Sequence, residues 1–258
     1  MSPSAGAGII EIKSPSQIQI MREAGRMVQE LLELLKQSVK PGVATLELDE
    51  LARDAVVKEG GRPAFKGYRG FPGHICASVN EEVVHGIPCA KRRLREGDII
   101  GLDAGVIVEG YYSDAAITVP VGQISPEAAD LISATQGSLA EGIAAARPGG
   151  RLSDISHAVQ RAAESRGYSV VREFVGHGIG TQLHEPPQIP NYGRPGFGPE
   201  LKPGMALAIE PMVNQGGPEV EILKDGWTAV TKDRKLSAHF EHTVAVTESE
   251  PEILTRRR

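Results

Sequence analysis

The chain has 258 residues, a formal net charge of −5 and 40% hydrophobic residues. This length can bury a core as one large α/β domain or as two halves. The acidic balance gives no support to nucleic acid as the main partner. No apolar run approaches the roughly 18 residues of a membrane span, which predicts a soluble protein. Residues 1–8 lack the basic and apolar regions of a signal peptide, and residues 1–9 are predicted to be a disordered leader.

Two cysteines are present, Cys76 and Cys89, and their spacing is not that of a metal cluster. A chain with only two cysteines fits a reducing compartment. The pattern therefore predicts a cytoplasmic location and excludes a structural zinc cluster.

Helical periodicity recurs in two pairs of stretches. The predicted helices cover residues 18–39, 46–59, 128–146 and 152–166. The residues that end these helices repeat at one offset. Pro148 lies 107 residues after Pro41, and Gly167 lies 107 residues after Gly60. A repeat of this kind indicates two halves built on one plan.

The first half carries a predicted β-hairpin whose turn signal is Glu109-Gly110. Asp103 and Asp114 lie on its two strands. They are directly opposite if the turn centres on residues 108–109 and diagonal if it centres on 109–110, and both registers put them on one face. Two carboxylates this close repel each other, so they require a cation or the protonation of one acid.

The repeat also delivers a second acid. Residues 94–103 lie 107 positions before residues 201–210, and each segment reads as a turn and a short buried strand ending in an acid, Asp103 or Glu210. Matched acids in two related halves predict a pseudo-twofold α/β fold with a site at the junction.

Two more segments are predicted to reach that junction. His177 is flanked by glycines after an apolar strand, and residues 236–246 read as one strand on which His239 and Glu241 share a face while His242 points away. We therefore expect four carboxylates and one imidazole together. Such a set suits two divalent cations, Mn, Fe, Co or Zn, and does not distinguish among them. His239 could support this set, but it is not expected to be a ligand.

Taken together, these motifs resemble type I methionine aminopeptidase over residues 10–255. The segments that carry the resemblance are residues 76–88 (CASVNEEVVHGIP), 103–105 (DAG), 112–114 (YSD), 176–180 (GHGIG), 184–185 (HE), 209–211 (IEP) and 240–243 (FEHT). The resemblance implies a pita-bread fold, with an antiparallel sheet core, outer helices and related halves at about 10–125 and 126–255. It also implies a single catalytic domain over residues 10–258. The implied activity is removal of the initiator methionine from nascent chains whose second residue is small.

The resemblance assigns roles to the five expected ligands. Asp114 and Glu241 would bridge two metal ions, Asp103 would bind one of them, and His177 and Glu210 would bind the other.

It also implies roles around those ligands. Glu210 would carry the proton, His184 would contact the substrate carbonyl and stabilise the oxyanion, and His85 would lie near the scissile nitrogen. The implied methionine pocket comprises Phe65, Tyr68, Phe71, Cys76, Leu183 and Trp227. Some relatives carry cysteine, tyrosine and a larger aromatic residue where this chain has Phe65, Phe71 and Leu183, so the shape of the pocket is left open.

Two alternatives remain. Proline-specific peptidases share these ligands, but they usually carry a large domain before the first helix, for which about ten residues are available here. Only 25 residues separate His184 from Glu210, which leaves no room for a type II insertion. The second alternative is a non-catalytic relative that binds RNA or proteins. The basic residues 91–95 and 256–258 could dock weakly on the ribosome. The complete set of metal ligands favours the enzyme over such a binding protein. A monomer without membrane or DNA partners is expected.

Overall fold

The computed structural model describes residues 8–256. Residues 1–7 of the predicted leader and the last two arginines of the basic tail lie outside the described residues. Within the described part, no helix combines the length and apolar character needed to cross a membrane.

Four helices form close to the predicted stretches, and one short 3-10 turn that was not predicted follows the second helix. Their bounds are α1 (Pro15–Ser38), α2 (Thr45–Lys58), the 3-10 turn (Tyr68–Gly70), α3 (Pro126–Ala144) and α4 (Leu152–Glu164). The helix α1 begins three residues earlier than predicted because Ser14 caps it. The Ser14 hydroxyl accepts from the Gln17 amide at 3.3 Å, and the Gln17 side chain accepts from the Ser14 amide at 2.7 Å.

Fifteen strands run through the described residues and form three sheets. Their bounds are β1 (Arg62–Pro63), β2 (Cys76–Val79), β3 (Glu82–Val84), β4 (Ile99–Val108), β5 (Tyr111–Pro120), β6 (Ser169–Val170), β7 (Val175–Gly178), β8 (Glu185–Pro190), β9 (Ala206–Ile209), β10 (Met212–Asn214), β11 (Val220–Ile222), β12 (Ala229–Thr231), β13 (Ser237–His239), β14 (Glu241–Ala245) and β15 (Glu252–Ile253). The main sheet has the order β1-β4-β5-β14-β9-β7-β8, with β2 on β4 and β15 on β14.

The main sheet shows the predicted pseudo-twofold plan. At its centre β5 pairs with β14, while β4 lies outside β5 and β9 lies outside β14. The starts of α2 and α4 are 107 residues apart, as are those of β1 and β6. The pita-bread fold, with two related halves around an antiparallel sheet, is therefore confirmed.

Each half buries one helix pair against its own part of the sheet. In the first half, Leu35 and Leu48 pack in one cluster with Leu102 of β4. In the second half, Ile155 of α4 packs in another cluster with Leu207 of β9. Each of these side chains is at most 1% exposed. Full burial of such a side chain contributes about 1.5–3 kcal/mol, so these layers hold the strands that carry the site.

The hairpin β4–β5 adopts the second of the two possible registers. Glu109 and Gly110 form the turn, with φ of 48° and 84°. Asp114 therefore pairs with Gly105, and Asp103 pairs with Ala116. The two aspartates are diagonal neighbours on one face of the sheet.

Two strand predictions were wrong. The strand β4 continues to Val108, so Asp103 lies within it rather than at its end, because the hairpin ladder extends to the turn. The predicted strand 236–246 breaks at Phe240, because β13 pairs with β10 in a small sheet and β14 pairs with β5 and β9 in the main sheet.

The turn glycine provides a test of the register. A Cβ on Gly110 would meet nothing within 4 Å, as would a Cβ on Gly137 of α3, so only backbone conformation separates the two sites. We expect Gly110→Ala to lower the free energy of unfolding by about 1–2 kcal/mol, since alanine resists positive φ. Gly137→Ala should raise it by about 0.5–1 kcal/mol. Urea titrations of both variants measure these changes, and equal effects would contradict the turn conformation described here.

Candidate metal centre

All thirteen residues assigned a role from the sequence line one cavity of about 150 Å³. The lining comprises Phe65, Tyr68, Arg69, Phe71, Cys76, His85, Asp103, Asp114, His177, Leu183, His184, Glu210, Trp227 and Glu241. Only Arg69 was not anticipated. One end of the cavity is carboxylate-rich and the other is aromatic and aliphatic.

The five expected ligands come from five neighbouring strands of the main sheet. Asp103 lies on β4, Asp114 on β5, His177 on β7 and Glu241 at the start of β14, while Glu210 directly follows β9. The possible ligand atoms of Asp114, His177 and Glu241 lie within 4.8 Å of one another. The sheet thus assembles residues that are up to 138 positions apart in the chain.

Hydrogen bonding orients His177 for a cation. Its Nδ1 lies 2.9 Å from the Gly178 carbonyl oxygen, which can only accept, so Nδ1 carries a proton and Nε2 is the nitrogen available to a cation. The same Nε2 is 3.4 Å from Glu210 Oε1 and 3.7 Å from Asp114 Oδ2. One imidazole nitrogen and two carboxylate oxygens facing one point can share a positive ion.

The four carboxylates repel one another inside the protein. Burial raises the pKa of Asp103 well above its ordinary value, and the Asp114 charge raises it further. Burial followed by the neighbouring acids also raises the pKa of Glu210 and of Glu241. Burial raises the pKa of Asp114 as well, although His177 and Thr243 oppose that shift. Without a positive ion, the cluster therefore holds protons that free carboxyl groups would release.

Thr243 fixes the orientation of Asp114. The Asp114 amide donates to the Thr243 hydroxyl oxygen at 3.0 Å, and that hydroxyl lies 2.8 Å from the Asp114 carbonyl oxygen and 3.2 Å from its Oδ1. Thr243 is fully buried on β14. Contacts of this kind hold a ligand in place before a metal arrives.

The donor set fits divalent cations. Asp103 Oδ1 and Glu241 Oε1 are buried and have no hydrogen-bond partner among the described residues. Unpartnered buried carboxylate oxygens are costly unless a cation or proton satisfies them. Four carboxylates with one imidazole nitrogen are ligands that Mn, Fe, Co and Zn accept.

Two further histidines flank this cluster. The His184 ring lies 4.2 Å from the His177 ring, and its Nδ1 is 2.7 Å from the Tyr68 hydroxyl. Desolvation in the cleft, assisted by His177, lowers the pKa of His184 to about 3. Burial lowers the pKa of His85 as well. Both rings are therefore neutral near neutral pH, so each can donate or accept one hydrogen bond.

The apolar end of the cavity is built from aromatic edges. The rings of Phe71 and Trp227 meet edge-to-face at 5.2 Å, and Trp227 meets His85 at 6.2 Å. Leu183 and Cys76 are 3% and 4% exposed. Burial, reinforced by Asp103, raises the pKa of the Cys76 thiol, which keeps it neutral. This end suits an unbranched apolar side chain, including a thioether.

His239, which was not expected to be a ligand, lies beside the cluster. Its Nε2 is buried, lacks a hydrogen-bond partner among the described residues and lies 3.7 Å from Glu210 Oε2. His242 points away as predicted, because its Nδ1 contacts the Thr255 hydroxyl at 2.9 Å. The shared strand face of His239 and Glu241 was the available signal. No sequence signal marked Arg69, whose φ is 48° in the 3-10 turn.

Comparison with known proteins identifies the family. The model of metallopeptidase family M24 matches residues 19–248. "Methionine aminopeptidase 1" of Bacillus subtilis is 55% identical over 248 residues, which are 96% of this chain and 100% of that protein. The crystal structure of a methionine aminopeptidase from Thermotoga maritima superposes with a TM-score of 0.95 at 46% identity, covering 96% of this chain and 100% of that one.

A more distant solved structure shares only the fold. A prolidase from Pyrococcus furiosus superposes with a TM-score of 0.78 at 21% identity, and the match covers 66% of its length. The methionine aminopeptidases, by contrast, match along their whole length and at about twice that identity or more. This chain therefore belongs to metallopeptidase family M24 and, within it, to the methionine aminopeptidases.

Proposed function

We propose that this chain removes the initiator methionine from nascent proteins whose second residue is small. One observation carries the proposal: four carboxylates and one imidazole line one cavity of about 150 Å³ together with aromatic and aliphatic side chains. Family membership supports it, since the relatives that match over their full length are methionine aminopeptidases. Proline-specific cleavage is not favoured.

Members of this metallopeptidase family use divalent metal, and the cluster offers a place for it. We assign two ions to it, with Asp114 and Glu241 bridging them. Asp103 would complete the ligand set of one ion, and His177 and Glu210 would complete that of the other. Four carboxylate charges would balance two divalent ions, which supports this number. Co, Mn, Fe and Zn all fit the donors.

Bound cations would supply an activated water molecule and polarise the substrate carbonyl. The residues around them would position the substrate and move its proton. Glu210 belongs to the cluster, so it would be placed to take a proton from water and pass it to the leaving nitrogen.

The two flanking histidines would act on the substrate itself. Because the Tyr68 hydroxyl can donate to His184 Nδ1, the Nε2–H of His184 is free to donate to the oxyanion that forms from the carbonyl. His85 would contact the scissile nitrogen. Its ring is held edge-on between Phe174 at 5.3 Å and Trp227 at 6.2 Å.

The pocket end would select methionine. Phe65, Tyr68, Phe71, Cys76, Leu183 and Trp227 would surround the side chain. Aromatic edges and a neutral thiol favour a flexible thioether over a charged or branched side chain. The pocket would therefore recognise the first residue of the substrate by the shape of its side chain.

Other parts of the proposal concern the setting of the enzyme. We place it in the cytoplasm as a monomer acting on nascent N-termini. Residues 91–95 are a candidate for weak ribosome docking. Lys91 and Arg95 are exposed, while Arg92 and Arg93 lie 3.9 Å from Glu82 and 3.4 Å from Glu47. These carboxylates reduce the free positive charge, so only salt-sensitive contact is expected.

The activity itself is testable with peptides. The metal-free protein should be supplied with Mn, Co, Fe or Zn and given Met-Gly-Met-Met beside an Xaa-Pro peptide that lacks methionine. We expect metal-dependent release of free methionine from the first peptide only. Mass spectrometry of the products measures this. Cleavage of the Xaa-Pro peptide would support the proline-specific alternative, and no cleavage with any metal would favour a binding protein.

The bridging assignment predicts a severe loss in two variants. Asp114→Asn and Glu241→Gln should each lower kcat/KM by more than the roughly 10–100-fold that loss of an outer contact costs, because a ligand shared by both ions is removed. Circular dichroism should show an intact fold. Glu141→Gln, on the exposed face of α3, is the matched control and should retain activity. Near-normal activity in either bridging variant would refute the assignment.

The raised carboxyl pKa values predict proton release on metal binding. The pKa values of Asp103, Glu210 and Glu241 are raised in the metal-free protein, so these carboxyl groups keep protons that ordinary carboxyl groups would release. A cation that binds must displace those protons. Metal affinity should therefore rise with pH. Calorimetric Mn titrations in two buffers of different ionisation enthalpy measure the proton count. Equal apparent enthalpies in both buffers would show that the carboxylates were already ionised.

A further inference from the structure

Lys13 is a buried lysine outside the metal cluster. Its side chain is 1% exposed, and its Nζ lies 2.6 Å from Glu185 Oε2 and 2.9 Å from Glu11 Oε2. The Glu185 side chain is 9% exposed, whereas that of Glu11 is 46% exposed. Lys13 and Glu185 are therefore the two charges that folding removes from water together, and each depends on the other.

The second oxygen of Glu185 organises the turn that carries His184. Glu185 Oε1 accepts from the Gln182 amide at 3.0 Å and lies 3.3 Å from the Thr181 hydroxyl. Residues 179–184 connect β7 to β8. Ile179 and Gly180 are buried, but in the turn 181–184 only Leu183 is buried. One carboxylate thus ties an otherwise exposed turn to a buried ammonium.

The stem of Lys13 also packs on this turn. An added Cβ on Gly180 would lie 2.2 Å from Lys13 Cε, so only glycine allows this approach. The Gly180 carbonyl oxygen accepts from the Tyr112 amide at 2.8 Å. The backbone of Lys13 is itself anchored, because its amide donates to the Gly204 carbonyl oxygen at 2.8 Å.

These contacts connect two loops of the candidate site. Gly204 lies two residues before β9, which Glu210 follows, and Gly180 directly precedes the turn 181–184. Lys13 touches both loops from one position. Lys13 also immediately precedes Ser14, the N-cap of α1, so the start of this helix anchors the backbone of Lys13.

We propose that Lys13 is a positioning residue for the reaction: through Glu185 it holds the turn 181–184 so that His184 stays over the cavity. The inference rests on the proposed function for the role of His184. It needs no contact between Lys13 and the substrate. Misplacing a reacting group by about 1 Å can cost on the order of 100-fold in rate.

The test compares Lys13→Met with Lys36→Met, which removes an exposed lysine from the end of α1. In the Mn-loaded enzyme we expect Lys13→Met to lower kcat for methionine release by about 10–100-fold. KM should change less than kcat, since the pocket residues remain. Amide hydrogen exchange should accelerate in residues 181–185, and Mn affinity should stay unchanged. Lys36→Met should match the wild type.

A second variant separates positioning from a general loss of folding. In Lys13→Met with Glu185→Gln, no buried carboxylate is left unpaired, and the glutamine oxygen can still accept from the Gln182 amide. This double variant should recover part of the lost kcat and of the lost exchange protection. If Lys13→Met does not fold, the double variant alone decides, and it should be slower than the wild type with an intact Mn site.

Two results would overturn the proposal: kcat within about twofold of the wild type in Lys13→Met or in the folded double variant, or unchanged exchange in residues 181–185. If the wild type released no methionine, the proposed function would fail first. The exchange experiment would still show whether Lys13 holds the turn.

Discussion

Mutual repulsion among four buried or half-buried carboxylates is the constraint on which the rest of this structure depends. The β4–β5 hairpin brings Asp103 and Asp114 together, whereas Glu210 and Glu241 come from distant strands of the second half. The antiparallel main sheet brings all four carboxylates to one site, and a helix pair in each half packs against that sheet. The cost of their proximity appears as raised pKa values and unpartnered oxygens, and divalent cations would offset it.

Several local features follow from this constraint. The diagonal register of the hairpin separates the two aspartates while keeping them on one face. The break at Phe240 lets β13 bring His239 towards Glu210 while β14 delivers Glu241. The bond from His177 Nδ1 to the Gly178 carbonyl oxygen leaves its other nitrogen free. Each feature adjusts one donor, and together they describe a site that is shaped before a ligand binds.

The helices could be predicted from the sequence because apolar periodicity, capping residues and terminal glycines are local patterns. The repeat could be predicted because the same patterns recur at one offset. The sequence could not choose the hairpin register, since Val108-Glu109 and Glu109-Gly110 give the same parity of faces. It also read residues 236–246 as one strand, because alternation continues through Phe240 while the pairing partner changes. Strands that pair in a sheet can be distant in the chain, and apolar periodicity does not show which strands will pair. Lys13 and Glu185, which are 172 residues apart, are a pair of the same kind.

Family resemblance supplied what periodicity could not, namely His85, His184 and the pocket residues, and the structure brings all of them to one cavity. The most direct test of the central claim is anomalous diffraction from Mn-loaded crystals. We expect two peaks roughly 3.5–4 Å apart, with Asp114 and Glu241 contacting both. Peaks away from these carboxylates, or a single ion that leaves Asp103 or Glu241 unliganded, would contradict it.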